Sequence, residues 1–92
     1  MWYVYILGCK DGSLYTGVTD SLERRFNEHR KGRGGHYTGY NRPKSIVFFE
    51  LFENKLAAQE RERQIKAWNR AKKLALIRGD IKQLRLLSVS RD

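Results

Sequence analysis

The N-terminal segment constrains the fold most, because it has the pattern of two short strands joined by a tight turn. Residues 2–7 are aromatic and β-branched, and a second run with strand character covers residues 14–19. The Asp11-Gly12 pair between them is a strong hairpin signal, because glycine accepts the positive φ that a two-residue turn needs. Since side chains alternate along a strand, Tyr3 and Tyr5 should share one face of the first strand and Val4 and Ile6 the other.

Helical spacing and capping residues organise the rest of the chain. Asp20 or Ser21 can cap a helix that runs to Arg30 and ends at Gly32, and Asn54 can cap a second helix over about residues 56–68. A third helix is predicted over residues 70–78, ending at Gly79. Between the first two helices, residues 45–52 form a continuous apolar run, which favours a strand in the middle of a sheet covered on both faces.

These elements predict an α/β (α+β) fold in the order β-β-α-β-α-α. The expected sheet is small, three-stranded and antiparallel or mixed, with helices on its flanks. A chain of 92 residues has room for one core of ordinary size. We therefore expect a main domain over residues 1–79, followed by a docking helix or flexible tail over residues 80–92.

The charge balance indicates a polyanionic partner. The chain has 19 Lys and Arg residues against 10 Asp and Glu residues, a formal net charge of +9, and a sequence pI near 10.1. Basic domains attract nucleic acids through a sequence-independent, salt-sensitive term. Charge favours nucleic-acid binding but gives no information about catalysis, since structural RNA-associated proteins share it.

The single cysteine, Cys9, leaves no internal disulfide and no thiolate zinc cluster, which fits a reducing compartment. The apolar residues 1–7 are too short for a signal sequence, and no later run approaches the length of a membrane span. We expect a cytoplasmic protein that is a monomer without membrane contact; whether it has a protein partner is open.

Cutting a phosphodiester bond requires an activated water, a charge that offsets the developing negative oxygens, and help for the leaving oxygen. Tyrosine can relay protons, arginine can bind phosphate as a fork, and a carboxylate can hold a hard metal ion. Arg25 and His29 lie four residues apart and thus on one helix face. That face is offset by one position from Leu22 and Phe26, which predicts both side chains at the edge of the core, beside the hairpin.

The ordered residues resemble a known enzyme family. Val4-Tyr5-Ile6 followed by Tyr15-Thr16-Gly17 is similar to the paired signature of the GIY-YIG nuclease superfamily. The resemblance continues through Arg25, His29 and Glu62 and covers roughly residues 2–78, and it is strongest to the small stand-alone bacterial branch. Tyr3 and Val4 replace the Gly and Ile of the first motif, and Thr16 replaces the Ile of the second, all at backbone or packing positions.

The resemblance implies a GIY-YIG endonuclease-like fold and a metal-dependent endonuclease acting on DNA rather than RNA. It implies catalytic roles for Tyr5, Tyr15, Arg25, His29 and Glu62, with Gly17 as a structural motif residue. Arg25 would contact the scissile phosphate, and His29 would assist proton transfer or orient a tyrosine. Glu62 would hold one Mg²⁺ or Mn²⁺ ion that keeps several waters.

The residues alone do not single out Glu62. On a helical wheel it flanks Ala58 and Ile65, which is compatible with a carboxylate that faces a cleft. Glu60 competes with it by composition. A surface ion pair with Lys66, four residues later, is the simpler explanation of its position.

The segment between the first helix and the third strand should be a basic loop that clamps the substrate, with tyrosines stacking on bases and cations contacting phosphates. The candidate nucleic-acid-binding residues in and around it are Arg24, Arg30, Lys31, Arg33, Tyr37, Tyr40, Arg42 and Lys44. His36, Tyr37 and Tyr40 are equal candidates for a further polar site residue. Asn69 either belongs to the site or marks the break between two helices.

Three functions compete. The leading hypothesis is an endonuclease in DNA repair or recombination, with low sequence specificity or selectivity for DNA structure. The alternative is a nucleic-acid-binding module on the same fold that does not cut. A small RNA-associated structural protein would explain the charge but would leave the tyrosine pair and Glu62 without a reason.

Overall fold

The structure is a computed structural model that describes residues 1–32 and 42–89. Three strands form one antiparallel sheet in the order β2-β1-β3. The strands are β1 (Trp2–Cys9), β2 (Leu14–Thr19) and β3 (Pro43–Phe52). The helices of the described residues are α1 (Leu22–Arg30), α2 (Lys55–Lys66), α3 (Arg70–Arg78) and α4 (Ile81–Val89). The predicted α+β class, the three-stranded sheet and the flanking helices are confirmed.

Side-chain caps set the helix boundaries. Ser21 accepts a hydrogen bond from the Arg24 amide at the start of α1, and Asn54 accepts one from the Ala57 amide at the start of α2. Asn69 caps α3 by accepting from the Lys72 amide at 2.9 Å, so this residue does mark the break between two helices. Gly79 ends α3 with φ 72°, a left-handed conformation that suits glycine.

The apolar core lies between the sheet and α2. Val4 and Ile6 project from one face of β1 and are fully buried. Ala58 and Ile65 of α2 pack against them, and Leu76 of α3 completes the buried cluster. The opposite face of β1 carries Tyr3 and Tyr5, and α1 packs there.

The predicted position of β3 in the middle of the sheet is wrong. β1 pairs with both other strands, so β1 is central and β3 is an edge strand. Phe49 and Leu51 of β3 are 56% and 50% exposed. A continuous apolar run indicates a strand, but it cannot decide which strand has two partners, because that depends on how distant segments pair.

The C-terminal part of the described chain is helical. Leu84 of α4 packs against the core cluster, whereas Ile81 and Leu86 are exposed. The proposed domain boundary at residue 79 stays a prediction. No helix within residues 1–32 and 42–89 has the length and apolar character required to cross a membrane, and the cytoplasmic location also stays a prediction.

Candidate active site

Tyr5 and Gly17 are direct partners across the β1–β2 pair. A Cβ atom at Gly17 would lie 2.5 Å from Tyr5 Oη and 2.7 Å from Cζ, closer than real Cβ contacts. The Tyr5 ring therefore passes over Gly17 and projects its hydroxyl from the central strand towards β2. Glycine is required here because of this close approach, since the backbone of Gly17 is not in the left-handed region.

Three aromatic rings from three elements meet beside this glycine. Tyr5 Oη lies 3.0 Å from His29 Nε2, in a buried hydrogen bond between β1 and α1. The Tyr15 ring of β2 meets the His29 ring edge-on at a centroid distance of 4.8 Å. The centroids of the Tyr5 and Tyr15 rings are 6.4 Å apart. The hairpin and the first helix thus bring both signature tyrosines and His29 together.

His29 is more deeply buried than the sequence predicted. Its expected place was the edge of the core, but its exposed fraction is 0%, because the Tyr5 and Tyr15 rings cover it. Burial, together with a smaller contribution from the nearby Arg25 charge, lowers the pKa of His29 to about 4. The imidazole is therefore neutral at neutral pH.

Burial raises the pKa of Tyr5 to about 12, and a hydrogen bond with the Arg25 side chain opposes that rise. Tyr15 and Glu62 add smaller electrostatic contributions that also raise the pKa. Tyr5 thus keeps its proton at neutral pH. Because Arg25 supplies a hydrogen bond to the phenol oxygen, we assign the phenol proton to the bond with His29 Nε2.

Arg25 lies at the edge of the core, as the sequence predicted. Its Nη1 donates to Glu28 Oε1 at 2.8 Å, and this bond is the main reason that the pKa of Arg25 is raised. The neighbouring Arg24 pairs with Asp20 at 2.6 Å. Both guanidinium groups face the hairpin side of α1, and the carboxylates that pair with them are exposed enough to exchange for a phosphate.

Glu62 belongs to α2, on the other side of the sheet from α1, and it lines the same cleft as the tyrosines. Its side chain is 22% exposed, and its Oε2 lies 3.0 Å from Lys66 Nζ. The ion pair predicted as the simpler explanation therefore exists, but it does not remove Glu62 from the site. Glu60, the competing carboxylate, is exposed and does not line the cleft described next.

One open cleft of about 500 Å³ collects these groups. It is lined by Trp2, Tyr5, Tyr15, Gly17, Val18, Thr19, Asp20, Arg24, Arg25, Glu28, Lys55, Gln59 and Glu62. Since β2 contributes residues from both of its faces, the cleft runs along this edge strand. Groups from α1 on one side of the sheet and from α2 on the other reach it there. His29 lies behind Tyr5 and does not line the cleft.

The predicted nucleic-acid-binding residues divide into two groups. Arg24 lines the cleft, whereas Arg30, Lys31, Arg42 and Lys44 are exposed and lie outside it, near the C-terminal end of α1 and the start of β3. Arg42 Nη1 donates to the Arg30 carbonyl at 2.7 Å, so it also holds the end of α1. The remaining candidates lie outside the described residues: Arg33, His36, Tyr37 and Tyr40.

Three helix residues that line the cleft were not predicted from the sequence, namely Glu28, Lys55 and Gln59. Two of them had a detectable signal. Glu28 follows Arg25 by three residues and Gln59 precedes Glu62 by three, so each lies on the helix face of a predicted site residue. Lys55 stacks over Trp2 at 5.1 Å from the ring centroid, a contact between distant segments that no local pattern predicts.

The sequence of this chain is similar to those of known proteins. The GIY-YIG catalytic domain family matches residues 1–75. A UPF0213 protein of Clostridium perfringens is 54% identical over 77 residues, which is 84% of this chain and 83% of that protein. A UPF0213 protein of Staphylococcus saprophyticus is 48% identical over 75 residues, covering 82% of this chain and 92% of that protein.

The fold has a solved counterpart. The solution NMR structure of a UPF0213 protein from Bacillus halodurans is similar to this chain, with a TM-score of 0.54 and 42% sequence identity. The similarity covers 84% of this chain and 83% of that one. The matched region contains both tyrosine motifs, α1 and α2. This chain therefore belongs to the GIY-YIG catalytic domain family.

Proposed function

We propose that this protein is a metal-dependent endonuclease that hydrolyses phosphodiester bonds in DNA. The observation that carries the proposal is the convergence of Tyr5, Tyr15, Arg25 and Glu62, from four different elements, on one cleft. Two phenols, a guanidinium and a carboxylate are the groups that phosphodiester hydrolysis needs. The strongly basic chain supplies the general attraction to nucleic acid.

Arg25 is the proposed phosphate-binding group. The guanidinium lies at the wall of the cleft, and its partner Glu28 is partly exposed and lines the same cleft. A phosphate can take the place of the carboxylate, because both accept the two parallel hydrogen bonds of the guanidinium fork. Arg25 would then neutralise the charge that develops on the phosphate oxygens during attack.

Tyr5, with His29 behind it, is the proposed proton-transfer unit. Tyr5 lines the cleft, and His29 Nε2 accepts the phenol proton from the buried side. As the attacking water gives a proton to Tyr5 Oη, the phenol proton moves to Nε2, so the phenol never has to ionise fully. His29 is neutral at neutral pH and so has the lone pair that this step requires. Tyr15 packs on His29 and fixes its orientation.

Glu62 is the proposed ligand for one Mg²⁺ or Mn²⁺ ion. Among the described residues, no group of three or more His, Cys, Asp or Glu side chains could form a cage for a metal ion. Glu62 is a partly exposed carboxylate in a polar cleft, and the two other carboxylates that line it, Asp20 and Glu28, pair with arginines of α1. This arrangement fits Mg²⁺, which retains most of its waters and often binds through one carboxylate and the substrate phosphate. When bound, the ion would supply positive charge at the developing and leaving oxygens.

The proposal includes low sequence specificity or selectivity for DNA structure. Arg24, Arg25 and Lys55 around the cleft suit contacts with phosphates, which position a strand but do not identify its bases. Only the membership of this family supports DNA rather than RNA as the substrate. The oligomeric state, taken as monomeric, is also part of the proposal.

Cleavage of DNA by purified variants tests the proposal. Supercoiled plasmid, branched DNA and single strands are incubated with Mg²⁺ or Mn²⁺, and parallel samples contain a chelator. We expect nicking that requires metal and that falls on the order of 10²–10³-fold in Glu62→Gln and Arg25→Gln, the range for loss of one preorganised charged group. Activity of the variants matters more than that of the wild type, because a contaminating nuclease would not respond to them.

Two matched control variants distinguish the effect of losing a site residue from the effect of a change in net charge. Glu60→Gln removes an exposed carboxylate from the same helix as Glu62, and Arg63→Gln removes an exposed guanidinium from that helix. Both should cut at the wild-type rate. Tight, salt-sensitive binding without cutting, unchanged by Glu62→Gln, would instead support the non-cleaving module.

A further inference from the structure

A second cavity adjoins the catalytic cleft. It has a volume of about 320 Å³ and is lined by Leu14, Tyr15, Thr16, Lys66 and Lys73. Tyr15 lines both this cavity and the catalytic cleft, so the two share one wall. The second cavity thus lies between the start of β2 and the junction of α2 with α3.

The cations of α2 and α3 have different partners. Arg61 pairs with Glu50 at 2.8 Å and lies over Trp68. Lys72 lies over the same ring at 4.4 Å from its centroid. Both side chains thus already have partners within the fold, which they stabilise.

Lys66 and Lys73 differ from Arg61 and Lys72 in their partners. Lys66 is 54% exposed and its ammonium pairs with Glu62, a carboxylate of the proposed site. Lys73 is partly buried in the second cavity, and no carboxylate of residues 1–32 and 42–89 forms an ion pair with it. Two lysine residues line this cavity, and an anion bound there would be attracted by both positive charges.

We propose that Lys66 and Lys73 form a second phosphate-binding subsite for the substrate strand, next to the phosphate that is cut. This inference rests on the proposed function, because it assigns the neighbouring phosphate of the same strand. Glu62 and Lys66 are four residues, about 6 Å, apart along α2. Because Tyr15 lines both the cleft that holds Arg25 and the cavity that holds the two lysines, a strand that passes over Tyr15 would have one phosphate at Arg25 and the next at the lysines.

The subsite also explains the ion pair of Glu62. In the free protein, Lys66 neutralises the carboxylate and remains close to both cavities. A phosphate in the second cavity attracts Lys66 away from Glu62 and leaves Oε2 available to a cation. The substrate would thereby prepare the carboxylate for the metal ion.

The salt dependence of DNA binding tests this subsite without any cleavage. Binding of a short fluorescein-labelled single-stranded oligonucleotide is followed by anisotropy at several NaCl concentrations, in chelator. Each phosphate contact contributes about 0.7 to the slope of log K against log salt for a single strand. Lys73→Gln should reduce the steepness of that slope by about one contact's contribution, roughly 0.7, and Lys73→Arg should retain the wild-type slope.

The matched control is Lys82→Gln, which removes the same charge from an exposed position on α4, outside both cavities. Its slope should equal that of the wild type. Lys66 is tested in a Glu62→Gln background, because removing Lys66 alone would leave an unpaired carboxylate that repels DNA. Glu62→Gln/Lys66→Gln should have a shallower slope than Glu62→Gln.

Three outcomes are distinguishable. If Lys73→Gln has the wild-type slope, or if Lys82→Gln loses as much, the subsite is wrong even when the protein cuts DNA. If the slopes change as expected but neither the wild type nor any variant cuts DNA with metal, the cleavage proposal is wrong and the lysine contact with DNA is supported. Circular dichroism melting of each variant shows whether a change in slope reflects unfolding. If Lys73→Gln is unfolded, the comparison of Glu62→Gln with Glu62→Gln/Lys66→Gln tests the subsite instead.

Discussion

The two faces of β1 are buried to nearly the same extent, but they bury different chemistry. Val4 and Ile6 face α2 and contact an apolar cluster, with 0% of each residue exposed. Tyr5, between them in sequence, faces α1, is 2% exposed, and bonds to His29. Alternation along a strand separates the two environments by a single residue.

The comparison shows how a small domain separates stability from chemistry. The apolar face gains stability in proportion to the area that it removes from water. The tyrosine face buries polar groups, which cost free energy unless every donor and acceptor is satisfied. We therefore expect substitutions on the apolar face to change the free energy of unfolding, and substitutions on the tyrosine face to change mainly the reaction.

Ile6→Ala should have the largest effect on the free energy of unfolding, a loss of about 2–5 kcal/mol from lost burial and the cavity that remains. Urea denaturation followed by tryptophan fluorescence measures it, with exposed Leu86→Ala as the control. Nicking per folded molecule should stay near the wild-type value. A loss of activity in the folded fraction as large as that of Tyr5→Phe would contradict the separation of the two faces.

Acid should destabilise the protein through His29. Its pKa is depressed to about 4 in the folded protein, against an ordinary 6.5, so the unfolded chain takes up the proton first. Stability is fully present above pH 6.5 and is lost as the pH falls from 6.5 to about 4, by at most about 3 kcal/mol. The melting temperature, measured at several pH values in this range, should depend less on pH in His29→Gln than in the wild type. An equal dependence on pH in both proteins would rule out His29 as the cause.

Gly17→Ala should cost about 1–3 kcal/mol, because the new methyl group displaces the Tyr5 ring and the interior has little room for it. Nicking should fall with the displaced hydroxyl. Repeating the substitution in a Tyr5→Leu background isolates the cause, since the ring that clashes is then absent. The idea of a ring passing over Gly17 fails if Gly17→Ala costs as much without Tyr5 as with it.

Tyr5→Phe should have a small effect on unfolding, about 1–2 kcal/mol, because the hydroxyl loses its hydrogen bonds with His29 and Arg25 while the ring stays in place. Nicking should nevertheless fall by roughly 10²–10⁴-fold, the usual contribution of a positioned proton-transfer group. Metal-dependent nicking at the wild-type rate would exclude Tyr5 from the proton transfer.

Local patterns predicted most of the elements because their causes are local. The hairpin, the Ser21 and Asn54 caps and the Gly79 stop depend on residues within a few positions of one another. The residues alone placed Arg25 and His29 on one helix face beside the hairpin. The choice of Glu62 over Glu60 came from family resemblance, because the helical wheel did not distinguish them.

The remaining features depend on contacts between distant segments. β3 is an edge strand because β1 pairs with a strand on each side. His29 is deeply buried because two aromatic rings cover it. The exposed apolar residues of β3 could not be recognised from a run of apolar letters.

The sequence by itself determined the strands, the helix ends, the excess of positive charge and the types of side chain available for chemistry, because each depends on composition or near neighbours. Only the tertiary structure decided that groups from both sides of the sheet meet along β2. The physical reason is that Tyr5 crosses a strand without a side chain at Gly17, a contact that exists only after β1 and β2 pair in this register.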